Sequence, residues 1–106
     1  MDIKSIMQQA QQMQEKMAGI QEALKKKTAT GSAGGGMVTV VANGGNEILS
    51  ITIEDAMITV DEKVMLQDLI AAATNDALRK VKEISKQEMS KLTGGMNIPG
   101  VSNLFS

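Results

Sequence analysis

Apolar residues recur at alternating spacings of three and four along the first part of the chain. They are Ile3, Ile6, Ala10, Met13, Met17, Ile20 and Leu24. This is the a/d pattern of a heptad repeat, and only a helix brings such residues onto one face. Asp2 precedes the stripe as an N-cap, and Lys25, Lys26 and Lys27 follow it, where cations suit the negative end of the helix dipole. We therefore expect a helix over residues 1–27 whose stripe packs against another element.

From residue 28 onward the apolar pattern changes to a period of two. The alternating apolar residues are Val38, Val40, Leu49, Ile51 and Ile53. Asn43-Gly44-Gly45-Asn46 separates the two runs and is typical of a tight hairpin whose residues adopt positive φ. Residues 28–32 add a candidate strand before the glycines. The region 28–60 is therefore predicted to be an antiparallel meander of two or three strands with one apolar face.

A second helical pattern covers residues 61–93. Its stripe consists of Leu66, Ile70, Ala73, Ala77, Val81 and Ile84. Asp61 is the expected N-cap, and Thr93-Gly94-Gly95 is the expected end of the helix. Residues 1–95 are thus predicted to form one α+β domain. Residues 96–106 hold the only proline and are predicted to be a flexible or weakly docked tail.

The predicted second helix is too long for a compact body of this size. At about 1.5 Å per residue it spans roughly 45 Å, whereas a compact chain of about 100 residues has a radius of gyration of only about 13 Å. We expect this helix to project beyond its own sheet. Two helices on a small sheet also leave much apolar surface uncovered, so a second copy in a two-fold dimer is the simplest partner.

The composition excludes several classes of function. The chain has no Cys and no His, and Phe105 is its single aromatic residue. The usual nucleophile, general base and metal ligands are therefore missing, as are the stacking platforms of single-strand binders. No apolar run approaches the roughly 18 residues of a membrane span, and the N-terminus has no signal-peptide pattern. We expect a cytoplasmic protein without a metal or a cofactor.

The stretch GSAGGGMVTVV at residues 31–41 raises the question of a phosphate site. Its first and last glycines have the Walker spacing, but Met37-Val38 stand where Lys and Ser or Thr are required. The glycines also precede a strand instead of a helix N-terminus. A glycine turn or bulge is the better interpretation. Asp68 and Asp76 are expected to be solvated helix charges, so we do not expect an enzyme.

Charge is segregated along the chain although the net charge is only −1. Residues 28–78 carry one lysine and seven acidic residues, whereas the helical segments on both sides are basic. On the second helix, Arg79, Lys82 and Lys86 fall within about 60° of one another, opposite the apolar stripe. Such a stripe is typical of a solvated face. In a two-fold dimer the stripe occurs twice, together with the lysines that end the first helix. Such a pair of basic surfaces could also grip the phosphates of a DNA duplex.

Five short motifs follow one another in a specific order. They are the opening MQQAQQMQEKM, GSAGGGMV, the turn at Asn43-Gly44, MLQDLIAAATNDAL from Met65 to Leu78, and TGGMNIPG near the end. In this order and spacing, the chain resembles the YbaB/EbfC family of bacterial nucleoid-associated proteins along nearly its full length. The resemblance implies an α+β homodimer whose sheets form the body and whose helices project like tweezers. It also implies DNA binding at the nucleoid.

The family's binding surface lies on the helices near the tweezer tips, so the resemblance implies DNA-binding residues in the first and last helices. At matching positions these are Lys25, Lys26, Lys27, Arg79, Lys82 and Lys86. Lys80 and Lys91 lie towards the apolar side of the helix and are weaker candidates. The slightly acidic net charge leaves room for a protein partner.

Two functions remain as alternatives. The first is a non-enzymatic homodimer that binds double-stranded DNA in the cytoplasm, at the nucleoid, largely through phosphate contacts. The second is a protein-interaction module that uses the Met/Ile seam of the first helix and has no direct role on DNA. Neither requires a cofactor, a metal, a membrane or a small-molecule substrate.

Overall fold

The helices and strands follow in the predicted order. The computed structural model of the chain describes residues 2–92, without the side chain of Leu92. The elements are α1 (Ile3–Lys26), β1 (Thr28–Ala33), β2 (Val38–Asn43), β3 (Ile48–Ile53), a 3-10 turn (Asp55–Met57) and α2 (Lys63–Leu92). The α+β architecture is confirmed, and the candidate strand before the glycines is present. The predicted helix end at residues 93–95 and the tail 96–106 lie outside the described residues.

Both ends of α1 have the caps that its sequence predicts. The Asp2 carboxylate accepts the backbone N–H of Lys4 at 3.2 Å and so satisfies one of the free donors of the first turn. At the other end, the backbone N–H of Lys27 donates to the carbonyl of Leu24 at 3.1 Å. Extended backbone at Lys27 then turns the chain directly into β1.

The three strands form an antiparallel meander in the order β1-β2-β3. Gly34, Gly35 and Gly36 connect β1 to β2, with φ values of +63°, +65° and +92°. Side chains rarely tolerate this region, so three successive glycines allow the chain to reverse there. The prediction of a glycine turn is confirmed.

The β2–β3 hairpin differs from the expected one in its backbone. Only Asn46 has a positive φ, at 62°, so the prediction is wrong for Gly44 and Gly45. The Asn43 side-chain oxygen instead holds the turn by accepting the backbone N–H groups of Gly45 at 2.9 Å and Glu47 at 3.1 Å. Gly44 serves close packing, because its N–H donates to the Leu24 carbonyl at 2.9 Å and an added Cβ would lie 2.6 Å from that oxygen.

The core lies between α2 and the first two strands. The α2 stripe predicted from its periodicity contributes the buried residues Ala73, Ala77 and Val81, and these meet Val38 and Val40 of β2. Small side chains allow a close approach. At Gly31 of β1, an added Cβ would lie 2.3 Å from the Ala73 carbonyl oxygen and 2.3 Å from the Ala77 nitrogen.

The start of α2 is shifted from the predicted one. Asp61 was expected as N-cap, but it lies in the preceding turn, and the helix begins at Lys63. The Thr59 hydroxyl accepts the N–H of Glu62 at 3.2 Å. This contact closes the turn ahead of the helix and displaces the capping role away from Asp61.

Both helices extend beyond the sheet. As its length predicts, α2 continues past the sheet until Lys91 lines a hollow with Lys16 and Gly19 of α1, and α1 projects further still. Near its start, α2 packs Leu69 against Gly34 at one end of the sheet, and further on the Ser85 hydroxyl donates to the Gly44 carbonyl at the other end at 3.4 Å. Most of its length therefore lies along the sheet.

Only the C-terminal part of α1 contacts the body. Its single buried residue is Leu24, and every residue from Asp2 to Lys16 is exposed. Residues 3–16 of α1, which we call the arm, extend about 20 Å outward at 1.5 Å per residue. The resulting shape is long, with extents of 69 × 24 × 17 Å and a radius of gyration of 19.2 Å.

Candidate nucleic-acid interface

The basic stripe of α2 faces away from the sheet. Arg79 and Lys82 are exposed and Lys86 is half-buried, whereas Ala77 and Val81 on the opposite side of the helix are buried. The stripe was expected on the distal part of a projecting helix. Because α2 lies along the sheet, Arg79 and Lys82 lie over the body of the molecule instead.

Asp76 engages two cations of α2 and a strand edge. Its carboxylate accepts the Ser32 N–H at 3.0 Å and approaches Lys80 at 3.2 Å and Arg79 at 3.4 Å. The Ser32 hydrogen bond, followed by the Lys80 interaction, lowers the pKa of this carboxyl. Lys80 also donates to the Thr30 carbonyl at 3.0 Å, so it is held against β1. Arg79 has only the long contact and keeps most of its side chain in solvent.

Glu88 engages the last lysine of the first-helix cluster. It is buried, and its carboxylate forms a close ion pair with Lys27 and a second one with Lys91 at 3.1 Å. The bond with Lys27 is the main reason that the pKa of this carboxyl is lowered, and Lys91 adds to the effect. Lys27 thereby fastens the end of α1 to α2. The three neighbouring lysines are consequently not equivalent.

The fold brings one member of each basic group to the same end of the molecule. Gly44 at the β2–β3 turn binds the Leu24 carbonyl through its N–H and the Ser85 hydroxyl through its carbonyl oxygen. Lys25 and Lys86 each directly follow one of these contacts in sequence. Lys25 and Lys86 are distant in sequence, yet both adjoin residues that contact Gly44 at the root of the arm.

Four of the six predicted site residues have no ion pair within 4 Å among residues 2–92. They are Lys25, Lys26, Lys82 and Lys86. The first three are exposed. An exposed, unpaired ammonium gives up no intramolecular partner when it meets a phosphate, so these cations are the best placed of the six for such contacts.

Sequence reasoning missed the two acids that engage the cations. Asp76 precedes Arg79 and Lys80 by three and four residues, and Glu88 precedes Lys91 by three. These are the spacings at which helix side chains meet, so those pairs were readable from the sequence. The Lys27–Glu88 pair joins residues 61 positions apart, and no local pattern signals it.

The two edges of the sheet differ in how they are covered. At the β1 edge, the Thr30 carbonyl is bound by Lys80 and the Ser32 N–H by Asp76. Within residues 2–92, no side chain bonds the outer backbone groups of β3 in this way. An open strand edge is a template for pairing with another chain.

Apolar side chains surround the open β3 edge. The exposed ones on β3 are Ile48, Leu49 and Ile51, with 40–52% of their surface accessible, and the segment that follows adds Ile58, Val60, Val64 and Met65. Ile58 and Val60 line an open hollow of about 510 Å³ together with Thr59, Lys63 and Leu66. We call these seven exposed residues the β3 patch. Exposed apolar side chains in this number are typical of an association site.

The part of the chain that the structure describes contains no helix long and apolar enough to cross a membrane. The glycine-rich connection is a strand-to-strand turn and does not face a helix N-terminus, so it lacks the arrangement of a phosphate-binding loop.

The model of the YbaB/EbfC DNA-binding family matches residues 1–96 of this chain. The chain is 65% identical to a nucleoid-associated protein of Desulfotalea psychrophila over 106 residues, all of both chains. A nucleoid-associated protein of Clostridium novyi is 52% identical over 101 residues, which are 95% of this chain and 89% of the relative. Among solved structures, an uncharacterised protein of Helicobacter pylori matches with a TM-score of 0.77 and 27% identity, over 88% of this chain and 98% of the other.

Proposed function

The chain belongs to the YbaB/EbfC DNA-binding family, and from this premise we propose that it is a non-enzymatic homodimer that binds double-stranded DNA at the nucleoid. Binding runs mainly through phosphate contacts of the cations around the arm root and along α2. The nucleoid location follows from the DNA partner and accords with the names of the relatives.

The observation that carries the proposal is the set of unpaired, exposed cations. Lys25 and Lys26 end α1, and Lys82 lies on the outer face of α2. Lysine ammonium groups bind phosphates through charge, and phosphate contacts do not distinguish one base sequence from another. Binding is therefore expected to tolerate changes of DNA sequence and to weaken as salt rises. The chain offers no aromatic stacking platform in its described part, which favours a duplex over a single strand.

The β3 patch supports the dimer. A two-fold contact brings the same patch of two chains together, so a surface that is apolar and open on one copy is covered by its equivalent on the other. The β1 edge is unsuited to this role because Asp76 and Lys80 already occupy its backbone groups. Pairing through the β3 patch doubles every basic group and leaves both arms outside the contact.

The test is a titration of the protein onto a fluorescent duplex, followed by anisotropy at several salt concentrations, with the mass of the same sample measured by light scattering. We expect the mass of two chains and an affinity that falls steeply as salt rises. Absence of binding at low salt rejects the DNA proposal. Binding that does not change with salt rejects the phosphate contacts.

The alternative function keeps one specific observation in its favour. The arm exposes Ile3, Ile6, Met7 and Met13, with 49–74% of their surfaces accessible, and methionine-rich surfaces adapt to protein partners. Recovery of one protein in stoichiometric amount after nuclease treatment, together with no duplex binding at low salt, favours this alternative.

A further inference from the structure

The apolar seam of α1 changes its surroundings along the helix. Leu24 is buried and Ile20 and Met17 are half-buried, because the end of α1 lies against Gly44 and α2. Toward the N-terminus the same stripe is uncovered. Its arm portion consists of Ile3, Ile6, Ala10 and Met13, which we call the arm seam, and Ile3 has 74% and Met13 54% of its surface accessible.

The direction of α2 points the following residues toward the arm seam. Lys27 pairs with Glu88, and an open hollow of about 270 Å³ is lined by Lys16 and Gly19 of α1 and by Lys91 of α2. The end of α2 is therefore level with the base of the arm, and the two helices run in opposite directions. The covered half of the seam, near the end of α1, faces α2. The arm seam lies on the same side of α1, so it is on the side of α1 where α2 ends.

The chain beyond α2 has a suitable length and composition. Residues 93–106 contain no charged side chain and carry the apolar residues Met96, Ile98, Val101, Leu104 and Phe105. Fourteen extended residues reach about 46 Å at 3.3 Å each, and the arm is only about 20 Å long. The arm seam is flanked mainly by uncharged side chains, among them Gln9 and Gln14. The charged side chains beside the seam are concentrated at the base of the arm, where Lys16 lies near Glu88 and Lys91.

We propose that residues 93–106 dock along the arm seam of their own chain. The covalent link to α2 favours residues 93–106 over a segment of another molecule as the group that covers the arm seam. Because the segment is joined covalently to the end of α2, its effective concentration at the arm seam is of the order of millimolar, so a weak apolar contact suffices. A second copy of the arm would form a coiled coil of only about two heptads, with alanine at one core position, and helices below about 12–15 residues are marginal in water. The proposal is independent of DNA binding.

The experiment uses the full-length chain, which has no cysteine of its own. Ser102→Cys gives a unique site for a nitroxide label, and the broadening of backbone amide signals is measured by NMR. We expect strong broadening across the arm. In Ile6→Asp/Met13→Asp, two exposed seam positions become charged without touching the core, and the broadening is expected to be lost. Gln8→Asp/Gln11→Asp adds the same two charges on the opposite side of the helix, so it is the matched control and is expected to keep the broadening.

Equal broadening in the wild type, the seam variant and the control variant overturns the proposal. A segment that is near the arm without contacting the seam would be unaffected by charges placed on the seam. Absence of broadening on the arm also overturns the proposal. A mixture of isotope-labelled chains without nitroxide and unlabelled chains with nitroxide separates the sources. Broadening that survives in this mixture at full strength assigns the seam to the segment of another chain and contradicts the same-chain docking proposed here.

Discussion

Carboxylates next to the cations set how many of them are available to a phosphate. Asp76 holds Lys80 and touches Arg79, and Glu88 holds Lys27 and Lys91. A phosphate that binds Arg79 has to replace a contact of 3.4 Å on an exposed side chain, which costs little. Lys27 is fixed to a buried carboxylate, so its removal leaves that charge without its main partner. At this scale we propose that Lys27 positions the end of α1 and that Lys82 contacts phosphate directly.

Replacing Asp76 with asparagine is expected to raise the affinity for duplex DNA. The amide oxygen still accepts the Ser32 N–H, so the β1 edge stays covered, while Arg79 and Lys80 lose their anionic partner. In anisotropy titrations, we expect the dependence of log K on log salt to steepen by about one unit per released cation. Asp68→Asn is the control, because it removes the same charge from an exposed position of α2 that has no ion pair within residues 2–92. Equal effects of the two variants would show that only net charge matters.

The Glu88 ion pairs predict a loss of thermal stability in acid. The pKa of this carboxyl is lowered in the folded chain, so its contribution is complete above the ordinary value of 4.5 and is lost as the pH falls through the folded value. Asp76 behaves likewise below its ordinary value of 3.8. We expect the Tm to hold from pH 7 to about pH 5 and to fall below it.

Glu88→Gln is expected to have a lower Tm at neutral pH and a flatter acid limb than the wild type, because the group that titrates is gone. Glu83→Gln, an exposed position without an ion pair in the described chain, serves as its control. A Glu88→Gln protein whose Tm falls with acid as steeply as that of the wild type contradicts the assignment.

At the scale of elements, the contact between β1 and α2 depends on a missing side chain. Gly31→Ala would place a Cβ 2.3 Å from two backbone atoms of α2, so the helix has to move away from the sheet. We expect a loss of about 1–3 kcal/mol in the free energy of unfolding, measured by urea denaturation at fixed protein concentration. Gly19→Ala, where nothing lies within 4 Å, is expected to stabilise α1 by about 0.5–1 kcal/mol. Similar results for both variants would contradict the close approach.

Local pattern predicts the elements but not their mutual arrangement. The period of 3.6 identified Ala73, Ala77 and Val81 as core, and the alternation in β2 identified Val38 and Val40, because periodicity follows directly from which face is buried. The longer projection of α1 was not predicted, since it depends on where Gly44 meets Leu24 and Ser85. Those contacts are distant in sequence and come from packing alone.

At the scale of the whole molecule, the β3 patch makes a prediction about assembly. Ile51→Lys puts a charge in the middle of the patch, on a side chain that is already 47% exposed and contributes little to the fold of one chain. We expect light scattering to report the mass of a single chain. Thr52→Lys, its neighbour on the other face of β3, is expected to leave the dimer intact. The reverse result would move the contact to the opposite face of the sheet.

The central claim is that the stripe of α2, and not the arm, meets the phosphates. Its most direct test compares Arg79→Ala/Lys82→Ala/Lys86→Ala with Lys4→Ala/Lys16→Ala/Lys63→Ala. The second variant removes both arm lysines and one lysine at the start of α2, so the two variants lose the same charge. Duplex binding is followed by anisotropy across a range of salt concentrations. We predict that the stripe variant loses affinity on every sequence and flattens the slope of log K against log salt by up to about five units per dimer, at roughly 0.9 per contact. The account would be contradicted if the stripe variant kept the wild-type slope and the Lys4/Lys16/Lys63 variant lost affinity instead.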